Sequence, residues 1–194
     1  MPHNITAGDQ QLLLDVAEAS LLELVNAGRE LELATDDLPA HLCVQRATFV
    51  TLRRNGDLRG CMGSLLPRFP LVQDVAHNAY AAAAHDPRFS RLTAAELTGL
   101  HMQISLLTLP ERMQFSSERE LLAQMQSGVD GLTLTLGHHR GTLLPSVWEM
   151  CPDKREFLEH LKHKAGLAKD FWDDDMQVER YRTICWSRLV TVSK

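Results

Sequence analysis

No apolar run in the sequence approaches the roughly 20 residues that a membrane-spanning helix needs. The first residues, Met1-Pro2-His3-Asn4, lack the basic and apolar stretches of a secretory signal, so a cytoplasmic protein with no membrane association is expected. Cysteine is sparse. Cys43, Cys61, Cys151 and Cys185 are too scattered for a dense disulfide framework or a CxxC metal knuckle. The neighbours His138-His139 fall at a strand turn and point apart, and the pair His160/His163 has no thiol or carboxylate at a familiar ligand spacing. Neither a metal nor another cofactor is therefore expected. Positive charge is not in excess either. A formal net charge of −5 and the lack of a recognisable nucleic-acid-binding motif argue against tight binding to nucleic acid. Repeats, low-complexity tracts and linkers are missing, so no domain boundary is visible within residues 1–194.

The chain that remains has 194 residues and a hydrophobic fraction of 44%, enough for a real core in one large domain or two small lobes. Thr6 with Asp9 forms a capping-box pattern ahead of a helix that should run to about Ala27, with Leu14, Ala17, Leu21, Leu24 and Val25 on one face and Gly28 just past its end. Asp36-Asp37-Leu38-Pro39 reads as a loop. Pro70 opens an alanine-rich helix, about Leu71 to Ala84, which Asp86-Pro87 ends. Thr93 with Glu96, Ser117 with Glu120, and Asp153 with Glu156 mark three more helix starts. Strands are expected over His101 to Leu107, Gly131 to Leu136 and Gln177 to Trp186, and the chain turns back at Gly137 to Gly141 into Thr142-Leu143-Leu144. Helices and strands alternate without regular βαβ spacing, and two turns look like hairpins. The pattern predicts an α+β fold with a largely antiparallel sheet flanked by helices.

One hairpin carries the candidate site. Asn55-Gly56 suits a type I′ turn, whose two central residues need positive φ, between strands over Ala47 to Leu52 and Leu58 to Gly63. On a regular strand Arg59 and Cys61 share a face, so the Arg59 guanidinium could favour the Cys61 thiolate, while Gly60 and Gly63 leave the backbone beside the thiol uncovered. Cys61 then reads as a nucleophile, or else as a small buried hydrophobe with glycines that serve tight packing. A nucleophile needs a base. His77 and His85 lie on one helix, and His85, beside Asp86 and Arg88, is the first choice. Arg140 and Trp148 could wall a ligand site, the arginine for a carboxylate or phosphate and the tryptophan as an apolar face; the competing reading makes Trp148 core. The charges at Lys154-Arg155 and Lys162-Lys164 read as a solvated helix face.

The run Leu58-Arg59-Gly60-Cys61-Met62-Gly63 resembles the signature of the AMMECR domain family, with Met62 in place of isoleucine. The resemblance extends from about Leu12 to Val192. It takes in Asp86-Pro87-Arg88-Phe89, Gly128-Val129-Asp130-Gly131-Leu132, Arg140-Gly141-Thr142-Leu143-Leu144-Pro145, Val147-Trp148-Glu149 and Lys164-Ala165-Gly166-Leu167. His85 ahead of the Asp-Pro-Arg-Phe run and the ending Ile184-Cys185-Trp186 depart from the pattern. The resemblance implies a single AMMECR domain over residues 1–194, built as two unequal lobes with a cleft near the cysteine motif. It also implies association with Memo-like and radical-SAM proteins as one component of a three-part system, but it supplies no reaction. Two readings follow: an accessory or binding component that recognises a small ligand or partner, and a thiol enzyme acting through Cys61 on a small or protein-linked substrate.

Overall fold

The computed structural model describes residues 5–34 and 38–191. Their helices are α1 (Ala7–Ala27), α2 (Leu71–Ala84), α3 (Ala94–Leu97), α4 (Glu118–Gln124) and α5 (Lys154–Lys164). Their strands are β1 (Thr48–Arg54), β2 (Asp57–Gly63), β3 (Leu100–Leu107), β4 (Glu111–Arg112), β5 (Gly131–Leu136), β6 (His139–Leu143), β7 (Gln177–Tyr181) and β8 (Thr183–Leu189). The fold is α+β, with two four-stranded antiparallel sheets. The loop expected at Asp36-Asp37 lies outside the described residues. The chain divides into two units, the larger made of residues up to Leu107 with those from Ile184 onward and the smaller of Thr108–Thr183.

In the larger unit the strand order is β2-β1-β3-β8. Helix α1 begins where the Asp9 carboxylate accepts from the Thr6 N–H and hydroxyl, satisfying groups the first turn would otherwise leave unpaired. Its apolar stripe, Leu13, Leu14, Ala17, Leu21 and Leu24, is buried and lies in the same core as α2. Helix α2 also packs on β1 and β2. Its alanines let backbone approach backbone, and a buried polar clamp fixes the register of helix on strand. Asp74 accepts from the Thr48 N–H at 2.9 Å, the Thr48 hydroxyl at 2.6 Å and the Asn78 amide at 2.9 Å. Burial raises the Asp74 pKa against the pull of those donors.

The smaller unit has strand order β4-β7-β5-β6, with α5 packed on β5 and β6. Its core includes Leu132, Leu134, Phe157, Leu158 and Leu161. The final expected strand is in fact two. Tyr181 ends β7 in this unit, buried, with its hydroxyl donating to the Leu143 carbonyl at 3.0 Å, whereas Trp186 on β8 joins the core of the larger unit. Between them, at Arg182, the backbone pairs with Thr108 instead of continuing one ladder: Thr108 N–H donates to the Arg182 carbonyl, and Arg182 N–H donates to the Thr108 hydroxyl. A run of β-prone residues carries no mark of which core each aromatic will join. Lys162 is a further correction. It is 1% exposed, and its ammonium donates to Glu118 at 2.6 Å and to the Lys169 carbonyl at 3.3 Å beneath the Trp172 ring. The solvated-face reading therefore fails at this position.

Candidate functional site

The hairpin forms as expected, with Asn55 at φ 54° and Gly56 at φ 91°, but its register carries an irregularity that rewrites the site. A two-residue turn pairs Arg54 with Asp57 and Arg53 with Leu58, and undisturbed alternation would continue by pairing Val50 with Cys61. The observed pairs beyond Arg53 are Leu52 with Gly60 and Thr51 with Cys61, so β2 contains one extra residue, Arg59, as a β-bulge. A one-residue slip exchanges faces. Val50 and Leu52 are fully buried core residues, so an unbulged strand would turn Cys61 into the core. The bulge places Cys61 instead beside Thr51, whose hydroxyl donates to its sulfur at 3.3 Å, and turns Gly60 toward α2.

Both glycines are then explained by packing. A Cβ at Gly60 would run into the Ala82 carbonyl of α2, and one at Gly63 would strike the Phe49 ring and the Thr48 carbonyl. Neither leaves the backbone beside the thiol uncovered, which corrects the expectation that they open it to a ligand. The premise that Arg59 and Cys61 share a regular strand face also fails. The Arg59 side chain, largely buried, donates through Nε to Glu96 at 2.7 Å and through Nη2 to the Ser90 carbonyl at 2.8 Å. That pairing, chiefly, lowers the Glu96 pKa to about 2. Glu96 also accepts from the Thr93 N–H and hydroxyl, so one carboxylate caps α3 and anchors the bulge. Nη1 of Arg59 is buried without a partner.

The guanidinium associated with the thiol is that of Arg88. Asp86, 4% exposed, accepts from the Cys61 backbone N–H at 2.9 Å. Arg88 grips the same carboxylate twice, Nη2 to Oδ2 at 2.7 Å and Nε to Oδ1 at 2.9 Å. This bidentate pair is the main reason the Asp86 carboxyl is held well below the usual carboxylate range. It also raises the Arg88 pKa. The Arg88 side chain is 54% exposed, so its outer edge remains free for another anion. The Phe89 ring lies near both guanidinium groups, 5.8 Å from Arg59 and 5.5 Å from Arg88. Beyond Thr51 the same sheet face continues through Gln103, paired with Thr51, to Ser105, whose hydroxyl lies 3.3 Å from the Cys185 sulfur.

The histidines considered as bases have other partners. His85, exposed, sits at the end of α2 with its ring edge-on to Tyr80, and His77 pairs with Glu30 at 2.7 Å. Arg140 is exposed on β6 in the smaller unit. Trp148, in that unit too, is 4% exposed, stacks on Phe157 at 3.7 Å and donates Nε1–H to the Asp130 carbonyl. It is core, not a ligand wall. The sequence reading missed Thr51, Phe89 and Glu96 as members of the site. Glu96 was visible as a capping residue, but nothing in its spacing reveals that it also holds Arg59.

The geometry defines a thiol-bearing sheet face edged by a fixed arginine–carboxylate pair, in an α+β chain that two kinds of comparison place. The family model AMMECR1 matches residues 14–186, and the chain belongs to that family. A protein of Methanothermobacter thermautotrophicus is 36% identical over 180 residues, covering 92% of this chain and 93% of the relative. One of Thermococcus gammatolerans is 38% identical over 178 residues, covering 88% and 86%. The crystal structure of an uncharacterized protein from Pyrococcus horikoshii matches with a TM-score of 0.75 at 33% identity, covering 91% of this chain and 89% of that one. Among the described residues no helix is long and apolar enough to cross a membrane.

Proposed function

We propose that the chain is a binding component whose site is the Cys61 face of the larger unit, recognising an anionic group through Arg88 with the thiol beside it. The observation that carries this reading is the Cys61–Asp86–Arg88 linkage. Asp86 fixes both the strand and the guanidinium, yet leaves the arginine half-exposed and able to form a second charge-assisted contact with a carboxylate or phosphate. Association with Memo-like and radical-SAM proteins, implied by the family resemblance, belongs to the same proposal, the accessory role being one such partners would require. A second reading, Cys61 as a nucleophile, draws support from the Thr51 hydroxyl at its sulfur and the Asp86–Arg88 pair at its backbone N–H. Of the histidines considered as its base, His85 packs edge-on to Tyr80 and His77 pairs with Glu30.

The test is complementation of a deletion strain with Cys61→Ser and Arg88→Gln, combined with pull-down of the Memo-like and radical-SAM candidates. Loss of function and partner capture in Arg88→Gln, with Cys61→Ser active, supports the binding role. Loss of function in folded Cys61→Ser that still captures its partners supports the nucleophile.

A further inference from the structure

The smaller unit holds a second thiol in different company. Cys151 lies between the short 3-10 turn Pro145–Glu149 and α5, two residues ahead of Asp153. The Asp153 side chain caps α5 by accepting from the Arg155 and Glu156 N–H groups, both at 3.0 Å, and so fixes where the helix begins relative to the cysteine. Glu156 and His160 follow at i and i+4, one turn apart on the same side of α5, with Oε1 and Nε2 separated by 3.9 Å. The Cys151 sulfur, one Glu156 oxygen and one His160 nitrogen all lie within 4.8 Å of one another. Cys151 is 4% exposed, whereas Glu156 and His160 are exposed.

We infer that Cys151, Glu156 and His160 form a binding site for a borderline-soft divalent transition metal, zinc by preference, with a fourth position open to water or an added ligand. Thiolate, imidazole and carboxylate are the donors zinc takes, and three protein donors with one open position is a recurrent arrangement. Metal–ligand bonds of about 2.0–2.3 Å set donors about 3.3–3.8 Å apart in a tetrahedral site. The present separations need only a small contraction, and the two exposed side chains on α5 have the freedom to make it. Charge favours the same occupant, because Asp153 and Glu159 add their negative fields to that of Glu156 around the sulfur. The sequence-level ground for expecting no metal was the lack of a familiar spacing. That ground fails here because the cap at Asp153 folds the chain so that a cysteine five residues before Glu156 meets the helix face. Binding takes the thiol to the thiolate and releases its proton to solvent, with no redox change.

The test uses the full-length chain, stripped with chelator and titrated with Co²⁺ and then Zn²⁺. The expected result is uptake of one Co²⁺ per chain with a sulfur-to-cobalt charge-transfer band, displaced by one equivalent of Zn²⁺. Cys151→Ser should abolish the band. His160→Ala and Glu156→Gln, both at exposed positions with little bearing on folding, should each weaken binding about tenfold or more. The site would be overturned by no stoichiometric uptake at micromolar metal, or by binding unchanged in His160→Ala and Glu156→Gln. A charge-transfer band that survives in folded Cys151→Ser would do so as well, assigning the metal to another cysteine.

Discussion

Cys61 and Cys151 have the same side chain in opposite surroundings. Cys61 stands half-buried on a strand, with a hydroxyl at its sulfur and an arginine–aspartate pair on its own backbone N–H. Cys151 is buried at the entrance to a helix. The burial itself and then the nearby Glu156 push its thiol pKa up, with Asp153 and Glu159 adding to the effect. The difference arises from backbone devices, a β-bulge in one unit and a capped helix in the other. Those devices decide which charges each sulfur meets, and so what each thiol is suited to do.

Packing beneath these devices should show the largest effects. Gly60 lets α2 rest on β2, and Gly141 lets α5 rest on β6, where a Cβ would meet the Ala165 backbone and the Leu161 carbonyl. Gly60→Ala and Gly141→Ala are each expected to cost about 3 kcal/mol, since the obstructing atoms are helix backbone that cannot rotate away. Gly56→Val, where a Cβ would meet nothing within 4 Å, should cost only the strain of its positive φ, about 1–3 kcal/mol. Urea melts of the three variants check the order; a Gly56 variant less stable than the Gly60 variant would break it.

The cations of the two units should differ next. Lys162 is buried against Glu118, and Lys162→Met is expected to destabilise by about 2–3 kcal/mol, less than a fully buried pair because Glu118 is partly exposed and can be rehydrated. Arg88→Gln should lower the melting midpoint less, because the guanidinium is half-exposed and Asp86 keeps the Cys61 and Arg88 backbone N–H donors. Thermal melts of the two variants measure the gap.

Acid should act mainly on the larger unit. Glu96 is held at about 2 when folded, below its ordinary 4.5, so its contribution to stability is present above pH 4.5 and is lost as the pH falls toward 2. Asp86, also depressed, loses its contribution as the pH falls below its ordinary 3.8. Glu96→Gln should flatten the fall in stability between pH 4.5 and 2, measured by urea midpoints across that range. An unchanged slope would mean that Arg59 does not hold Glu96 in solution.

The sequence made the helix starts at Thr6, Thr93, Ser117 and Asp153 legible because capping is local chemistry. The hairpin was legible because Asn55-Gly56 suits one turn. The bulge at Arg59 was not, since an extra residue in a strand leaves no pattern when the neighbours are Leu58, Gly60 and Met62. Everything resting on regular alternation therefore went astray, including the partnership of Arg59 with Cys61. The burial of Lys162 and the change of sheet at Arg182 depend on residues distant in the chain, Glu118 and Thr108, which no local spacing reveals. Asp86 and Arg88 were named for their place beside His85, and the structure joins them to Cys61 through the backbone.

The central claim is that Arg88, and not Arg59, sets the electrostatic surroundings of the Cys61 thiol. It is tested most directly by the rate of iodoacetamide labelling of Cys61 at neutral pH, read by mass spectrometry in wild-type, Arg88→Gln and Arg59→Gln chains verified as folded. The account expects Arg88→Gln to slow labelling about three- to tenfold, by removing the guanidinium that Asp86 links to the Cys61 backbone, and Arg59→Gln to change it less. Labelling unaffected by Arg88→Gln, or slowed more by Arg59→Gln, would contradict it.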